Sequence, residues 1–328
     1  MKGLLTIGLT GDVMIGRTLD GIIEERGYDF PWGNVLSLMN GTDLNLINLE
    51  TTLTYSVNEV HKTFNFKAAP DKVKSLLNAN ISIVNLANNH ILDYGEEGLL
   101  ETITTLASAG IKFIGAGNNI SEALAPVIVD RDSIKLGVLG LTDNEPGWKA
   151  TSRPGTNYLD ISDKRERAVI LNSIEELRKK CDVLIVSIHW GPNMQKEPPS
   201  GFITFAHDMI NCGASVIHGH SAHIFQGIEC FNNGIVLYDT GDFVDDYAVD
   251  PELRNDLSAF FILRVSTSGI VDLEFIPIAI SGYQVNQAVG ADRAWVIQHM
   301  MKLSSVFGTK VDEKCKIGVN ASILQSGA

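Results

Sequence analysis

The segment VIHGHSAHIFQG, residues 216–227, places His218, His220 and His223 within six positions, directly after an apolar, strand-like run. Imidazole nitrogens in such a place suit metal ligation or proton transfer. Other strand-like runs end in polar residues too. LLTIGLTGD reaches Asp12, LNLINLE reaches Glu50, ISIVNLANNH reaches Asn88, Asn89 and His90, and VLIVSIHWG reaches His189. Each residue alone has a plain structural role. Asp12 suits the cap of a helix beginning near Ile15, Glu50 a surface acid, the Asn88 and Asn89 pair a turn, and His189 a satisfied core histidine. As a set they say more. Caps and turns formed independently have no reason to gather carboxylate, amide and imidazole groups at successive strand ends, whereas a divalent-metal centre needs that mixture.

The elements that must position these residues follow from hydrophobic periodicity. Apolar runs of strand length (LLTIGLT, DLNLINLE, ISIVNLAN, IKFIGAG, IKLGVLGLT, DVLIVSIHWG and SVIHGH) alternate with segments of helical spacing (APDKVKSLLNAN, GEEGLLETITTLASAG, DKRERAVILNSIEELRKKC and FITFAHDMINCG). This alternation predicts an α/β fold, in which ligands bind beyond the carboxyl ends of the strands. After about residue 224 the pattern shifts to closely spaced strands with Asn-Asn-Gly and Ser-Thr-Ser-Gly turns, which predicts a second, mostly antiparallel sheet. A C-terminal sheet and helix are expected over 257–310, no domain boundary is evident within 1–328, and the Gly-, Pro- and Asn-rich stretch 143–160 is a candidate lid over the site.

Composition narrows the partners. A chain of 328 residues with 45% hydrophobic and 20% charged residues can bury a large core. Its formal charge of -13, with no Lys/Arg cluster, argues against the basic stripe that nucleic-acid binding usually needs. No apolar run has the length of a membrane span, and Cys181, Cys212, Cys230 and Cys315 lack the short spacing of a zinc knuckle or redox pair. A soluble, cytoplasmic protein with reduced thiols, no nucleic acid and no membrane partner is expected.

The ordered motifs GDVMIGR, NLE, NNHILDYG, HWG, GHSAHIFQG and YDTGDF, spanning residues 8–246, resemble the CapA family, linked to poly-γ-glutamate capsule synthesis within the calcineurin-like metallophosphatase superfamily. The resemblance implies a four-layer α/β/β/α sandwich with two mixed sheets flanked by helices, and one or two divalent cations (Mn, Zn, Fe or Mg) at the strand ends. It assigns metal ligation to Asp12, Glu50 (as the bridging carboxylate), Asn89, His189, His220 and His223. His90 takes the place of a general acid, with Asp12, His220 and His223 as further catalytic groups. Arg17, Lys62, Phe66 and Asp242 are candidate substrate contacts, and Asp93 is expected to cap the helix that follows it.

Three departures stand out. Met14 occupies the place where the superfamily carries a histidine, Glu50 replaces an aspartate, and His-Ser-Ala-His is one residue longer than the usual closing pair. The function expected is a metal-dependent hydrolase of a phosphoester, peptide or γ-glutamyl amide bond, with a peptide, polyglutamate or phosphoester as substrate. A metal-independent peptide Cα epimerase using an Asp/His acid-base pair is the alternative, and a noncatalytic binding protein for poly-γ-glutamate synthesis a third. Whether His218 joins the site or supports it depends on whether the strand persists from 218 to 220.

Overall fold

A computed structural model describes residues 3–317. Two large sheets carry the chain. In the first, strands run in the order Gln284–Gln287, Gly269–Ser281, Leu257–Ser266, Leu5–Val13, Leu44–Leu49, Ile81–Asn85 and Lys112–Ile114, and the short strand Asp242–Val244 pairs with the end of Leu5–Val13. In the second, the order is Ile228–Phe231, Gly234–Leu237, Val216–His220, Val183–His189, Ile134–Thr142 and Val127–Arg131.

The alternation of side chains along each strand builds the layers. Leu5, Ile7, Leu9, Leu44 and Leu46 of the first sheet meet Leu136, Val138, Val183, Ile185 and Val216 of the second in one buried cluster. The intervening residues point outward. Ile47, Leu49 and Val84 pack with Leu99 and Leu106 of the helix Gly95–Ser108, whereas Leu184, Val186 and Ile188 pack with helices Lys164–Arg178 and Ser200–Asn211. The result is the expected four-layer α/β/β/α sandwich. Helix Lys164–Arg178 shows the local logic: Asp163 caps it by accepting from the Arg165 amide, and Ile170, Ile174 and Leu177 form its buried stripe. The helix Gly290–Ser305 instead inserts Val296, Ile297 and Met300 into the core between the sheets.

One expectation is corrected. The strands after residue 224 form no sheet of their own among the described residues. The hairpin Leu257–Ser281 extends the first sheet, lying antiparallel to Leu5–Val13, and Gly234–Leu237 lies parallel to Val216–His220 in the second. The reason is burial: Leu257, Ala259, Phe261, Leu263 and Val265 share the inter-sheet core with Leu5, Ile7 and Leu9, and a separate sheet would leave that face wet. Both predicted turns do close two-residue hairpins, with Phe231 opposite Gly234 and Ser266 opposite Gly269. No helix among the described residues is long and apolar enough to cross a membrane, and none of the four cysteines is in a disulfide among the described residues.

Candidate metal centre

Parallel strands in register bring the polar strand ends to one place. Asp12 pairs with Asn48 on one side and with Asp242 on the other, while His189 pairs with His220 in the second sheet. Asp12 therefore ends a strand and caps no helix; the first helix begins six residues later, at Thr18. Glycines let the backbones close up here. A Cβ at Gly11 would meet the Gly241 carbonyl oxygen at 1.7 Å, and one at Gly219 would meet that of Tyr238 at 2.1 Å.

The Asp12 carboxylate sits between two groups of donors. Its Oδ1 lies 3.8 Å from Nδ1 of His189 and 3.8 Å from Nδ1 of His220, and those two nitrogens are 3.0 Å apart. Its Oδ2 lies 3.5 Å from Nδ1 of His223, in a second group completed by Glu50. In each group the ligand atoms lie within 4.8 Å of one another, and all five residues are buried. The carboxylate common to both groups is thus Asp12, whereas the resemblance gave that place to Glu50.

The surroundings define which atoms carry hydrogens. Nε2 of His189 lies 2.9 Å from Oδ1 of Asn89, so it donates and leaves Nδ1 bare on the Asp12 side. Asn89 consequently holds the ring from the nitrogen opposite Asp12. Asn48 donates to Oδ1 of Asp12 at 2.7 Å, and its own carbonyl accepts from Asn85 and Asn88. Burial drives the pKa of both His189 and His220 well below the usual histidine value, so both rings are neutral.

The fit to a divalent cation rests on these atoms. Neutral imidazole nitrogens 3.0 Å apart beside a carboxylate repel one another unless a cation or proton intervenes. Among the described residues, Asp12 Oδ2 and Glu50 Oε1 are buried without a hydrogen-bond partner, an arrangement that costs energy in a dry site. A mixed nitrogen and oxygen donor set of this kind suits Zn, Mn or Fe.

His223 reaches the site through an unusual backbone. Ser221 and His223 have φ of 121° and 61°, and Asp239 pins the turn by accepting from the amides of Ala222 and Gly241 at 2.7 and 2.8 Å. The extra residue in His-Ser-Ala-His is thus absorbed in a left-handed turn that carries the ring back to Asp12. Asp242 accepts from Nδ1 of His223 at 2.8 Å. Burial opposes charge on His223, but Asp242, then Glu50 and Asp12, outweigh it and raise its pKa well above the usual value. Asp242, expected to contact substrate, is wholly buried behind this ring. Burial raises the Asp12 pKa well above the carboxylate range, and Glu50 adds to the shift.

His90 forms a separate unit. Its Nδ1 lies 2.6 Å from Oδ2 of Asp93, its ring stacks on Phe66 with centroids 3.7 Å apart, and Nε2 lies 3.8 Å from Glu50. Asp93 also accepts from the Phe66 amide at 2.7 Å and from Lys62 at 3.0 Å. Asp93 is therefore committed to His90, and helix Gly95–Ser108 has no side-chain cap. Lys62, expected to face substrate, is bonded to Asp93 and the Asn89 carbonyl and lies over Trp148.

The rim is aromatic and cationic. The Arg17 guanidinium lies 5.6 Å from the Phe64 ring and 5.5 Å from that of Phe66, with 36% of its side chain exposed. Tyr247 donates to Glu50 at 3.2 Å. From the 143–160 stretch, Glu145 pairs with Lys62 at 3.7 Å, and Gly155–Thr156 is tied by strand pairing to Ala116–Gly117.

Spacing alone missed Asn48, Asp239 and Tyr247. The asparagine is hidden inside the apolar strand NLINLE, yet an amide in such a run is a signal, because a buried amide needs partners.

The family model for the bacterial capsule synthesis protein PGA_cap matches residues 6–247. A protein of Mycobacterium tuberculosis (strain ATCC 25618 / H37Rv), described as a probable polyglutamine synthesis accessory protein, is 29% identical over 359 residues, covering 94% of this chain and 93% of the relative. The PGA biosynthesis protein CapA of Bacillus subtilis (strain 168) is 28% identical over 282 residues, covering 84% and 72%. Among solved structures, a hypothetical protein from Thermus thermophilus superposes with a TM-score of 0.51 at 12% identity, over 84% of this chain and 100% of that one, a likeness of fold.

Proposed function

Starting from a chain that belongs to the bacterial capsule synthesis protein family, the family of CapA, we propose a metal-dependent hydrolase that cleaves a γ-glutamyl or peptide amide bond or a phosphoester. The observation that carries this reading is the Asp12 carboxylate shared by two buried donor groups, His189 with His220 and Glu50 with His223. The names of the relatives, which refer to polyglutamine and PGA synthesis, favour a γ-glutamyl peptide as substrate.

Asp12, His189, His220 and Glu50 would hold the cations, and His223 would join them only once its Nδ1 gave up the hydrogen that Asp242 accepts. When bound, such cations polarise the scissile group and make water a usable nucleophile near neutral pH. The rest is the work of the chain. His90 supplies a proton to the leaving group from Nε2, with Asp93 holding the opposite nitrogen and Phe66 fixing the ring plane. Lys62 neutralises Asp93 and steadies the loop carrying Asn89. Arg17, paired at the rim with Asp246 at 3.4 Å, takes an anionic group of the substrate on its remaining donors, with Phe64 and Phe66 beneath its guanidinium.

Epimerisation is less well supported. It needs an acid and a base on opposite faces of the reacting carbon, whereas Asp12 Oδ2 lies only 3.5 Å from Nδ1 of His223. No atom of a substrate fits between groups so close.

Elemental analysis of protein purified without chelator or affinity tag tests the proposal, together with a screen of γ-glutamyl peptides and phosphoesters. The expected result is bound metal in the wild type, lost from Asp12→Ala and reduced in both His220→Ala and His223→Ala, with turnover falling in parallel. No metal after reconstitution with Zn, Mn or Fe would sink it. Metal retention without turnover of any substrate in the screen would favour a binding protein.

A further inference from the structure

A hydrogen-bond chain runs from the backbone of Thr10 through His218 and Ser187 to His220, and its direction is fixed at the outer end. The Thr10 carbonyl can only accept, so Nε2 of His218, 2.7 Å away, carries the hydrogen. A neutral His218 then has a bare Nδ1, which accepts from Oγ of Ser187 at 3.2 Å. With its one hydrogen used there, Ser187 accepts from Nε2 of His220 at 3.0 Å. His220 thus holds its hydrogen on Nε2, and its bare Nδ1 faces Asp12 and His189. Two strands set this geometry: Ser187 lies opposite His218 and His189 opposite His220, on successive rungs of one face, because the strand persists through residue 220. All three relay side chains are fully buried, so water does not compete for these bonds.

We infer that Ser187 and His218 are positioning residues that lock His220 in its Nε2–H tautomer and thereby present Nδ1 to a divalent cation. The inference rests on Asp12, His189 and His220 forming a cation site, but the tautomer itself is measurable without any cation. The relay has a directional consequence. Replacing His218 with leucine frees the Ser187 hydroxyl to donate to Nε2 of His220, which moves the ring hydrogen to Nδ1 and points it at the site. Replacing Ser187 with alanine removes the preference altogether.

The test is long-range proton–nitrogen NMR of the histidine rings in metal-free, ¹⁵N-labelled full chain, followed by calorimetric titration with Zn²⁺. The wild type should show His220 as the Nε2–H tautomer. His218→Leu should shift it toward Nδ1–H, Ser187→Ala should mix the two, and both should bind Zn²⁺ about 10- to 100-fold more weakly. Ser187→Thr, which keeps a hydroxyl, should retain the wild-type tautomer. An Nδ1–H tautomer in the wild type, which requires no variant to fold, overturns the inference. So does an unchanged tautomer with unchanged Zn²⁺ affinity in both His218→Leu and Ser187→Ala. If the wild type binds no Zn²⁺ while the tautomers follow the expected pattern, the cation reading fails and the relay stands.

Discussion

Asp93 holds an imidazole, a backbone amide and an ammonium at once. That concentration of donors on one carboxylate marks a residue that aims another. Asp93→Asn keeps the shape but removes the charge that holds Nδ1–H of His90. Turnover should fall by about 10²-fold, within the range for lost general acid catalysis, while KM and metal content stay unchanged. Steady-state kinetics beside elemental analysis checks this. An equal loss of bound metal would mean that Asp93 acts on the centre rather than on His90. The gathering of Asp12, Glu50, His90, His189, His220 and His223 was legible in the sequence because strand ends are visible as the points where apolar runs stop. Which atom of each residue faces which partner was not. Asn89 and Asp242 turned out to orient rings, a job set by rotamers and by neighbours 100 and 19 positions away. Spacing along the chain carries no information about either.

At the scale of elements, the site exists because three backbone segments approach within hydrogen-bonding distance. The Asp12 amide donates to the Gly241 carbonyl at 2.9 Å, and Thr240 donates to that of Gly219 at 2.9 Å. Gly11→Ala should therefore do more than crowd a turn. Its methyl group would displace backbone, which cannot rotate away, and the strand Asp242–Val244 would be pushed from its register beside Asp12. A loss of about 3 kcal/mol or more in unfolding free energy is expected, with the near-ultraviolet signal altered first. Wild-type stability in Gly11→Ala would show that this approach is loose. The seven early strands and the main helices were visible from periodicity, since each buries a regular stripe. The helix Thr18–Arg26, which buries only Leu19 and Ile23, and the half-exposed edge strand Val127–Arg131 gave no such signal. Sheet membership was hidden for a different reason: the partner of Leu5–Val13 lies at the other end of the chain.

For the molecule as a whole, two conditions should tune stability. A bound cation would relieve the unpaired oxygens of Asp12 and Glu50, so loading at a hundredfold over Kd should raise the melting temperature by roughly 5 °C, and chelation should reverse it. An unchanged melting curve would argue against a cation centre. The second condition is pH. Burial raises the pKa of Asp143 to about 6, despite the opposing hydrogen bond from the Gly191 amide. Its folded pKa lies above the ordinary 3.8, so the fold favours the neutral acid. This contribution is complete below about pH 4 and is lost as pH rises through about 6, by at most about 3 kcal/mol. Asp143→Asn should melt with the wild type near pH 4 and above it at pH 7.5; coincident curves at both would refute the shift. The placement of the strand Leu5–Val13 bears on how the protein is made. It is flanked on one side by Leu257–Ser266, with Leu5 opposite Val265. A ribosome adding roughly 5–20 residues per second releases that partner between about ten seconds and a minute later. Through most of that interval the nascent chain carries an apolar strand with one open edge, and Asp242, which pairs beside Asp12, has not been translated. A cation at Asp12 would therefore be captured only by a nearly finished polypeptide, and the open strand edge is an aggregation hazard until its partner arrives.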